Sequence, residues 1–316
     1  MTWAVRSVAV IAAAALVGGT LALSMSLGST TATQTASATL ASAPQVVQPT
    51  AASMVSLRSA TSSGSVYGTG LVVEHGAVIA TTLPISPGAV VTVTTEDRRT
   101  LAASVLGQDA RTGLTLLAPS ATLPSPTAAP TVATVGTLAT VVAVTSNTGT
   151  PLIRWASATV RSHDAPMVVG NVALGTFRVG STLDSVPGSG LIADDGTLLG
   201  IAAPNLGTHV YLPATFVELL ATMMMASPSP THGCLKIEGR TSATGGVIVV
   251  GVDAGGPAAG TLEAGDVIIS VGSTSVRTIS ELVDTLYTLP AASRVDLVVT
   301  RHGATSRVAV KLAPST

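Results

Sequence analysis

Residues 245–276 read GGVIVVGVDAGGPAAGTLEAGDVIISVGSTSV, and residues 280–312 continue SELVDTLYTLPAASRVDLVVTRHGATSRVAVKL. Short β-branched runs alternate here with Gly, Ala, Pro and Asp, then give way to one stretch with helical spacing of apolar residues. The pattern predicts strand 246–252, a Gly- and Ala-rich turn with a short helix at 257–260, strand 266–271, helix 279–288, and strands 294–300 and 305–312. A separate folding unit over 231–316 follows.

Working back from this unit, PATFVELLATMMMA places Phe216, Leu219, Leu220 and Met223 on one helical face, over a helix at 214–225 that Pro228, Ser229 and Pro230 end. The methionines read as packing residues. Between residue 55 and that helix the chain is a succession of short Val-, Thr- and Ile-rich runs: SVYGTGLVV, AVIATTL, AVVTVTT, LAASVLG, TGLTLLAP, VGTLATVVAV and SATVRS, then PMVVGNVALGTFRVG, SGLIADDGTLLGIAAP and THVYLPA. Frequent short strands imply barrels or a sandwich. Glu74-His75-Gly76 suits a hairpin turn, Asp195-Gly196 a two-residue one, and Ala121 to Thr131 a loop. Two barrels are expected within 55–225, one at about 60–145 and one at about 150–213.

The amino end has a different character. Residues 7–29, SVAVIAAAALVGGTLALSMSLGS, carry no charge, and none follows Arg6 until Arg58. Roughly twenty apolar residues suffice to cross a bilayer, so residues 1–29 read as an apolar helix anchoring the chain in a membrane or as an export signal. Length favours the anchor, whereas Ala36-Ser37-Ala38 and Ala41-Ser42-Ala43 offer cleavage and secretion as the alternative. Either route places 58–316 outside the cytoplasm, with Arg6 on the inner side. Residues 30–54, rich in Ser, Thr, Ala and Pro, form a linker.

Composition narrows the function. The 316 residues are 47% hydrophobic, 10% charged and 2% aromatic, so the cores are built from Val, Leu, Ile and Ala. A net charge of -1 supplies no field to gather a phosphate backbone, which argues against nucleic-acid binding. Cys234 is the sole cysteine, and neither an HExxH pattern nor a Cys cluster is present, so no metal and no cofactor is expected.

The C-terminal unit resembles a PDZ domain. The resemblance implies binding of an extended peptide or C-terminal tail by strand addition, with strand 246–252 as an open edge beside helix 279–288. Cys234 to Ile237 (CLKI) matches the loop whose amides hold a peptide carboxylate, and Lys236 adds a positive charge. The implied peptide-binding set is Cys234, Leu235, Lys236, Ile237, Val247, Ile248, Val249, Leu282 and Leu286, several of which also suit the domain's core.

The region before it resembles the chymotrypsin-like protease domain of the HtrA family, whose members join an exported or tethered serine protease to a PDZ domain. Three segments carry the likeness: YGTGLVVEHGAVIATTLPI (67–85), VLGQDARTGLTLLAP (105–119) and DSVPGSGLIADDGTLLGIAAP (184–204), matching the family's histidine, aspartate and serine segments in order. Aligning them puts Leu83, Gly113 and Pro187 at those three positions. Leucine accepts no proton, glycine cannot orient an imidazole, and proline has neither hydroxyl nor N–H. Such a chain reads as a pseudoprotease that binds peptides or regulates partners in the cell envelope. Ser189, with Asp184 nearby, is the fallback nucleophile of an active serine endopeptidase, and His163 beside Asp164 the one improvised base and carboxylate. Family members often trimerise through aromatic residues near the start of the protease domain; this chain departs from that pattern, offering only Tyr67 there.

Overall fold

The computed structural model describes residues 44–73, 77–124, 130–146, 150–163, 167–169, 172–174 and 176–315. The expected apolar helix within 1–29, both cleavage triplets, the 74–76 turn and Asp164 lie outside them. Among the described residues no helix is long and apolar enough to cross a membrane.

A single turn, α1 (Gln48–Ala51), leads into β1 (Met54–Thr61), β2 (Gly64–Val73), β3 (Val78–Thr81), β4 (Val90–Thr94), β5 (Thr100–Gln108) and β6 (Thr115–Pro119). These strands close an antiparallel barrel in the order β1-β2-β3-β6-β5-β4. Alternate residues point inward, and Leu57, Val72, Ile79, Val91, Val93 and Leu117 fill the centre with no solvent exposure. Strand β1 does not stand out in the sequence because two serines, Ser56 on one face and Ser59 on the other, interrupt its apolar run although both are buried.

The second barrel is built from β7 (Leu138–Thr145), β8 (Leu152–His163), β11 (Phe177–Ser181), β12 (Gly190–Ala193), β13 (Leu198–Ala202) and β14 (Val210–Pro213), closed as β11-β14-β13-β12-β7-β8. Between β8 and β11, β9 (Met167–Val169) and β10 (Val172–Leu174) pair as a separate ribbon. The rings of Phe177 and Tyr211 stack inside the barrel at 5.8 Å. The turn expected at Asp195-Gly196 is longer than a two-residue hairpin. Ala193 N–H donates to Thr197 O at 2.9 Å and the ladder shifts between Leu191 and Ile192, so Asp194, Asp195 and Gly196 form a three-residue loop.

A third apolar cluster joins the barrels: Met54, Leu71, Leu114 and Leu116 from one, Val142, Ile192, Ile201 and Leu212 from the other, and Phe216, Val217 and Leu220 from α2 (Ala214–Ala226). Each such side chain removed from water contributes about 1.5–3 kcal/mol. Leu219, expected on the buried face of α2, is instead 55% exposed. Helical spacing alone does not fix which flank of an apolar stripe finds a neighbour.

The C-terminal unit contains β15 (Gly233–Cys234), β16 (Ile237–Thr241), β17 (Val247–Val252), β18 (Val267–Val271), β19 (Thr274–Ser275), α3 (Ile279–Tyr287), β20 (Arg294–Arg301), β21 (Ala304–Lys311) and β22 (Ala313–Pro314). The sheet runs β16-β17-β18-β20-β21, with a core of its own around Val247, Val249, Ile268, Leu282, Leu297 and Val299. Two expectations change. Residues 257–260 form turns rather than a helix, because one turn of backbone between glycines is too short to sustain helical bonding. Strand β17 is paired on both sides, so 246–252 is not an open edge; the free edge belongs to β16, whose Gly239 and charged Glu238 and Arg240 disguise it as loop.

Candidate functional site

The strand ends β3 and β12 bring Leu83 and Pro187 to the junction of the barrels, and the β5–β6 loop brings Gly113 to its own side of that junction. Leu83 is buried in the first-barrel core. Three buried threonines, Thr69, Thr81 and Thr82, run through the region and bond it shut. Thr69 N–H donates to Pro187 O at 2.9 Å, and Thr69 Oγ1 bridges Val144 O and Val144 N–H of the second barrel. Thr81 Oγ1 donates to Thr69 O at 2.8 Å and accepts from Leu83 N–H. Thr82 Oγ1 donates to Ala202 O at 2.6 Å and accepts from Gly188 N–H at 2.8 Å.

In this network the amide donors of the 187–189 segment are already spent. Gly188 N–H is committed to Thr82 and Ala202, Ser189 N–H donates to Val186 O, and Pro187 has no N–H. Gly188 has φ +76°, and a Cβ there would lie 2.0 Å from Thr69 O, so only glycine fits. Gly113 has φ +73°, and a Cβ there would meet the Asn205 amide nitrogen at 2.6 Å. Asn205 donates from that nitrogen to Thr112 O at 3.0 Å and holds the place.

Ser189 has no solvent exposure, and its hydroxyl has no histidine partner. It faces the phenol of Tyr211, which burial pushes far up in pKa and the Ser189 hydroxyl lowers only in part. The serine that does approach an imidazole is Ser185, whose Oγ is 3.4 Å from His209 Nδ1 and also accepts from His209 N–H at 3.1 Å. By accepting from the backbone of the histidine whose ring it approaches, Ser185 staples the 185 and 209 loops together. His163 ends β8, and its proposed partner Asp164 lies outside the described residues. Among the described residues no group of three His, Cys, Asp or Glu could hold a metal ion.

In the C-terminal unit, β16 is an edge strand of the sheet and lies beside α3. Thr278 caps α3 by accepting from Glu281 N–H, while Glu281 accepts from Arg277 N–H, a reciprocal cap. Ile279 N–H donates to Thr241 Oγ1 and ties the start of the helix to the end of β16. Strand β10 of the separate ribbon also lies against α3. Of the peptide-binding residues inferred from sequence, Leu235, Val247, Val249, Leu282 and Leu286 are core residues of this unit, and Ile237 and Ile248 are half-buried. Lys236 adopts φ +51°, the left-handed region, and its carbonyl accepts from Asp253 N–H. The Cys234 thiol, pushed up in pKa by burial, donates to Pro314 O at 3.5 Å.

A second cluster was not apparent in the sequence. Asp109, in the β5–β6 loop, is 4% exposed and meets His232 and Tyr287 from the C-terminal side. The Tyr287 hydroxyl donates to both carboxylate oxygens at 3.0 and 2.9 Å, and His232 Nε2 lies 3.2 Å from Oδ1. Thr112 adds its N–H and hydroxyl. Burial pushes the Asp109 carboxyl up, but the bonds from His232, Thr112 and Tyr287 outweigh it and hold it below the ordinary range. Burial and then the Asp109 charge drive the Tyr287 phenol up. The only local sign in the sequence is Asp109-x-x-Thr112, a pattern that also closes ordinary turns.

Residues 222–312 match the PDZ domain family. Two proteins called "Serine protease Do-like HtrA", from Lactococcus lactis subsp. cremoris (strain MG1363) and subsp. lactis (strain IL1403), are 38% and 37% identical over 95 residues, 30% of this chain. The match spans 23% of the length of each of these relatives. Among solved structures, the HtrA-type protease AlgW with tripeptide aligns with TM-score 0.59 at 16% identity, covering 86% of this chain and 96% of that one. A serine endoprotease from Yersinia pestis aligns with TM-score 0.51 at 18% identity, covering 86% and 97%. The chain carries a PDZ domain over residues 222–312 and, across its two barrels and that domain, has the fold of the HtrA-type proteases.

Proposed function

We propose that this protein is a non-catalytic member of the HtrA family that captures extended peptides or C-terminal tails of envelope proteins through its PDZ domain. The observation that carries this reading is the closed junction around Leu83, Gly113 and Pro187. A base, an orienting carboxylate and a nucleophile are missing from the three aligned positions, and the surrounding amides are spent on buried threonines and carbonyls. Ser189 does not replace them, because its hydroxyl is sealed from solvent and lacks a base. Peptide capture rests on the free β16 edge beside α3, where an added strand completes main-chain hydrogen bonds and Lys236 stands close to the carboxylate end. The AlgW structures, solved with a tripeptide and a decapeptide, support that use of the fold. In this reading residues 7–29 tether the chain and 58–316 act outside the cytoplasm.

The test pairs two measurements on the full chain. Treatment with a serine-directed fluorophosphonate and incubation with unfolded casein are expected to give neither labelling nor cleavage; labelling abolished by Ser189→Ala would overturn the non-catalytic reading. A library of peptides with free C-termini is expected to yield binders, and Lys236→Glu to weaken them about tenfold, whereas amidated peptides lose binding. Absence of any bound peptide would overturn the capture role.

A further inference from the structure

We propose that Asp109, His232 and Tyr287 form a proton-dependent latch that fixes the peptide groove of the PDZ domain against the first barrel. The reasoning begins with the two nitrogens of one imidazole. His232 Nδ1 lies 2.6 Å from Tyr287 O, and Nε2 lies 3.2 Å from Asp109 Oδ1. A carbonyl oxygen only accepts, and an ionised carboxylate only accepts, so each nitrogen has to carry a hydrogen. A neutral imidazole carries one. Both contacts exist together only when the His232–Asp109 pair holds one proton beyond a neutral ring and a bare carboxylate.

The surroundings assign that proton to His232. Asp109 already accepts from the Thr112 N–H and hydroxyl, from Arg111 N–H and from the Tyr287 hydroxyl, an arrangement of donors suited to a carboxylate. The His232 ring also lies flat on the Tyr287 ring, with centroids 3.6 Å apart and planes 13° apart, which favours a cation over an aromatic face. The other ionisable groups of the seam are Arg111, whose Nη2 donates to Ser315 O at 2.7 Å, and Cys234, two residues beyond the histidine. From α2 the contact with Tyr287 is the uncharged ring of Phe216, at 5.7 Å.

The three residues come from three pieces of chain: the β5–β6 loop, the segment leading into the PDZ sheet, and the last residue of α3. Leu282 and Leu286 anchor that same helix in the PDZ core, whereas Tyr287 belongs to the cluster between the barrels. Docking in this geometry therefore needs a hydrogen on each His232 ring nitrogen. When the pH rises and the ring becomes neutral, one acceptor faces a lone pair, a buried polar contact is lost, and the groove is released from the barrel.

The test uses the full chain, labelled with 15N-histidine and, in a Cys234→Ser background, with a dye pair at Val90→Cys and Ser306→Cys. At pH 6 the latch predicts both His232 ring nitrogens protonated and a single interdomain distance. At pH 9 it predicts a neutral ring and at least a fivefold rise in the undocked fraction. His232→Gln is expected to abolish the pH dependence, and Tyr287→Phe to raise the undocked fraction at every pH while keeping it pH-dependent. A neutral His232 ring at pH 6, a wild-type distance that does not change with pH, or an unaltered pH dependence in His232→Gln would each overturn the latch. Should His232→Gln fail to fold, the wild-type nitrogen spectra and distance titration still decide the matter.

Discussion

The junction of the two barrels and the seam beneath the PDZ domain handle polar groups in opposite ways. At the junction, Leu83, Gly113 and Pro187 bring no ionisable group, and neutral threonine hydroxyls bond strand to strand. At the seam, a carboxylate, an imidazole and a phenol meet in a space almost closed to water. The difference teaches that burial alone does not decide whether ionisable groups persist. A buried carboxylate persists where several donors converge on it, as they do on Asp109, and the junction offers no comparable set of donors to a charge.

The contrast can be broken most sharply at Gly188. Gly188→Ala is expected to cost about 3–5 kcal/mol in urea denaturation, combining left-handed backbone strain with a collision against Thr69 O. A loss below about 1 kcal/mol would mean that the junction is not closed in solution. Tyr287→Phe comes next: the ring still packs on His232 and Phe216, but Asp109 loses its phenolic donor, for an expected loss of about 2 kcal/mol. Thr82→Val is smaller, about 1 kcal/mol, because Gly188 N–H keeps Ala202 O as a second acceptor at 3.1 Å.

The gentlest test leaves the sequence intact and lowers the pH. Because the folded Asp109 carboxyl sits below its ordinary value of 3.8, its stabilisation is fully present above that value and is lost as the pH falls beneath it. The apparent Tm of the chain is expected to fall below that point, and Asp109→Asn to flatten the fall. An equal decline in the variant would place the acid sensitivity in other carboxylates, such as Asp266, whose two oxygens accept from Arg301 at 2.6 and 2.7 Å.

The double barrel was legible because each strand advertises itself within a few residues, through β-branched runs and turn dipeptides. Strands β1 and β16 were not, since buried serines in one and a glycine among charges in the other imitate loop. The sequence marks the segments that carry Leu83, Gly113 and Pro187, but the threonine bonds among those segments follow from close approach of separate strands. The seam was hidden for a stronger reason. Asp109 lies 123 residues from His232 and 178 from Tyr287 in sequence, and no local periodicity records a contact at such a distance. The edge assignment in the PDZ sheet failed likewise, because pairing order is a property of the assembled sheet rather than of any one strand.

Asn205 makes the junction intolerant of any larger side chain at position 113. An aspartate at position 113 collides with its amide, a serine at position 187 finds neighbouring amides already bonded, and a histidine at position 83 has to enter a filled apolar core. Each of these substitutions works against packing already in place, so the junction is expected to accept change less readily than the exposed edge of β16.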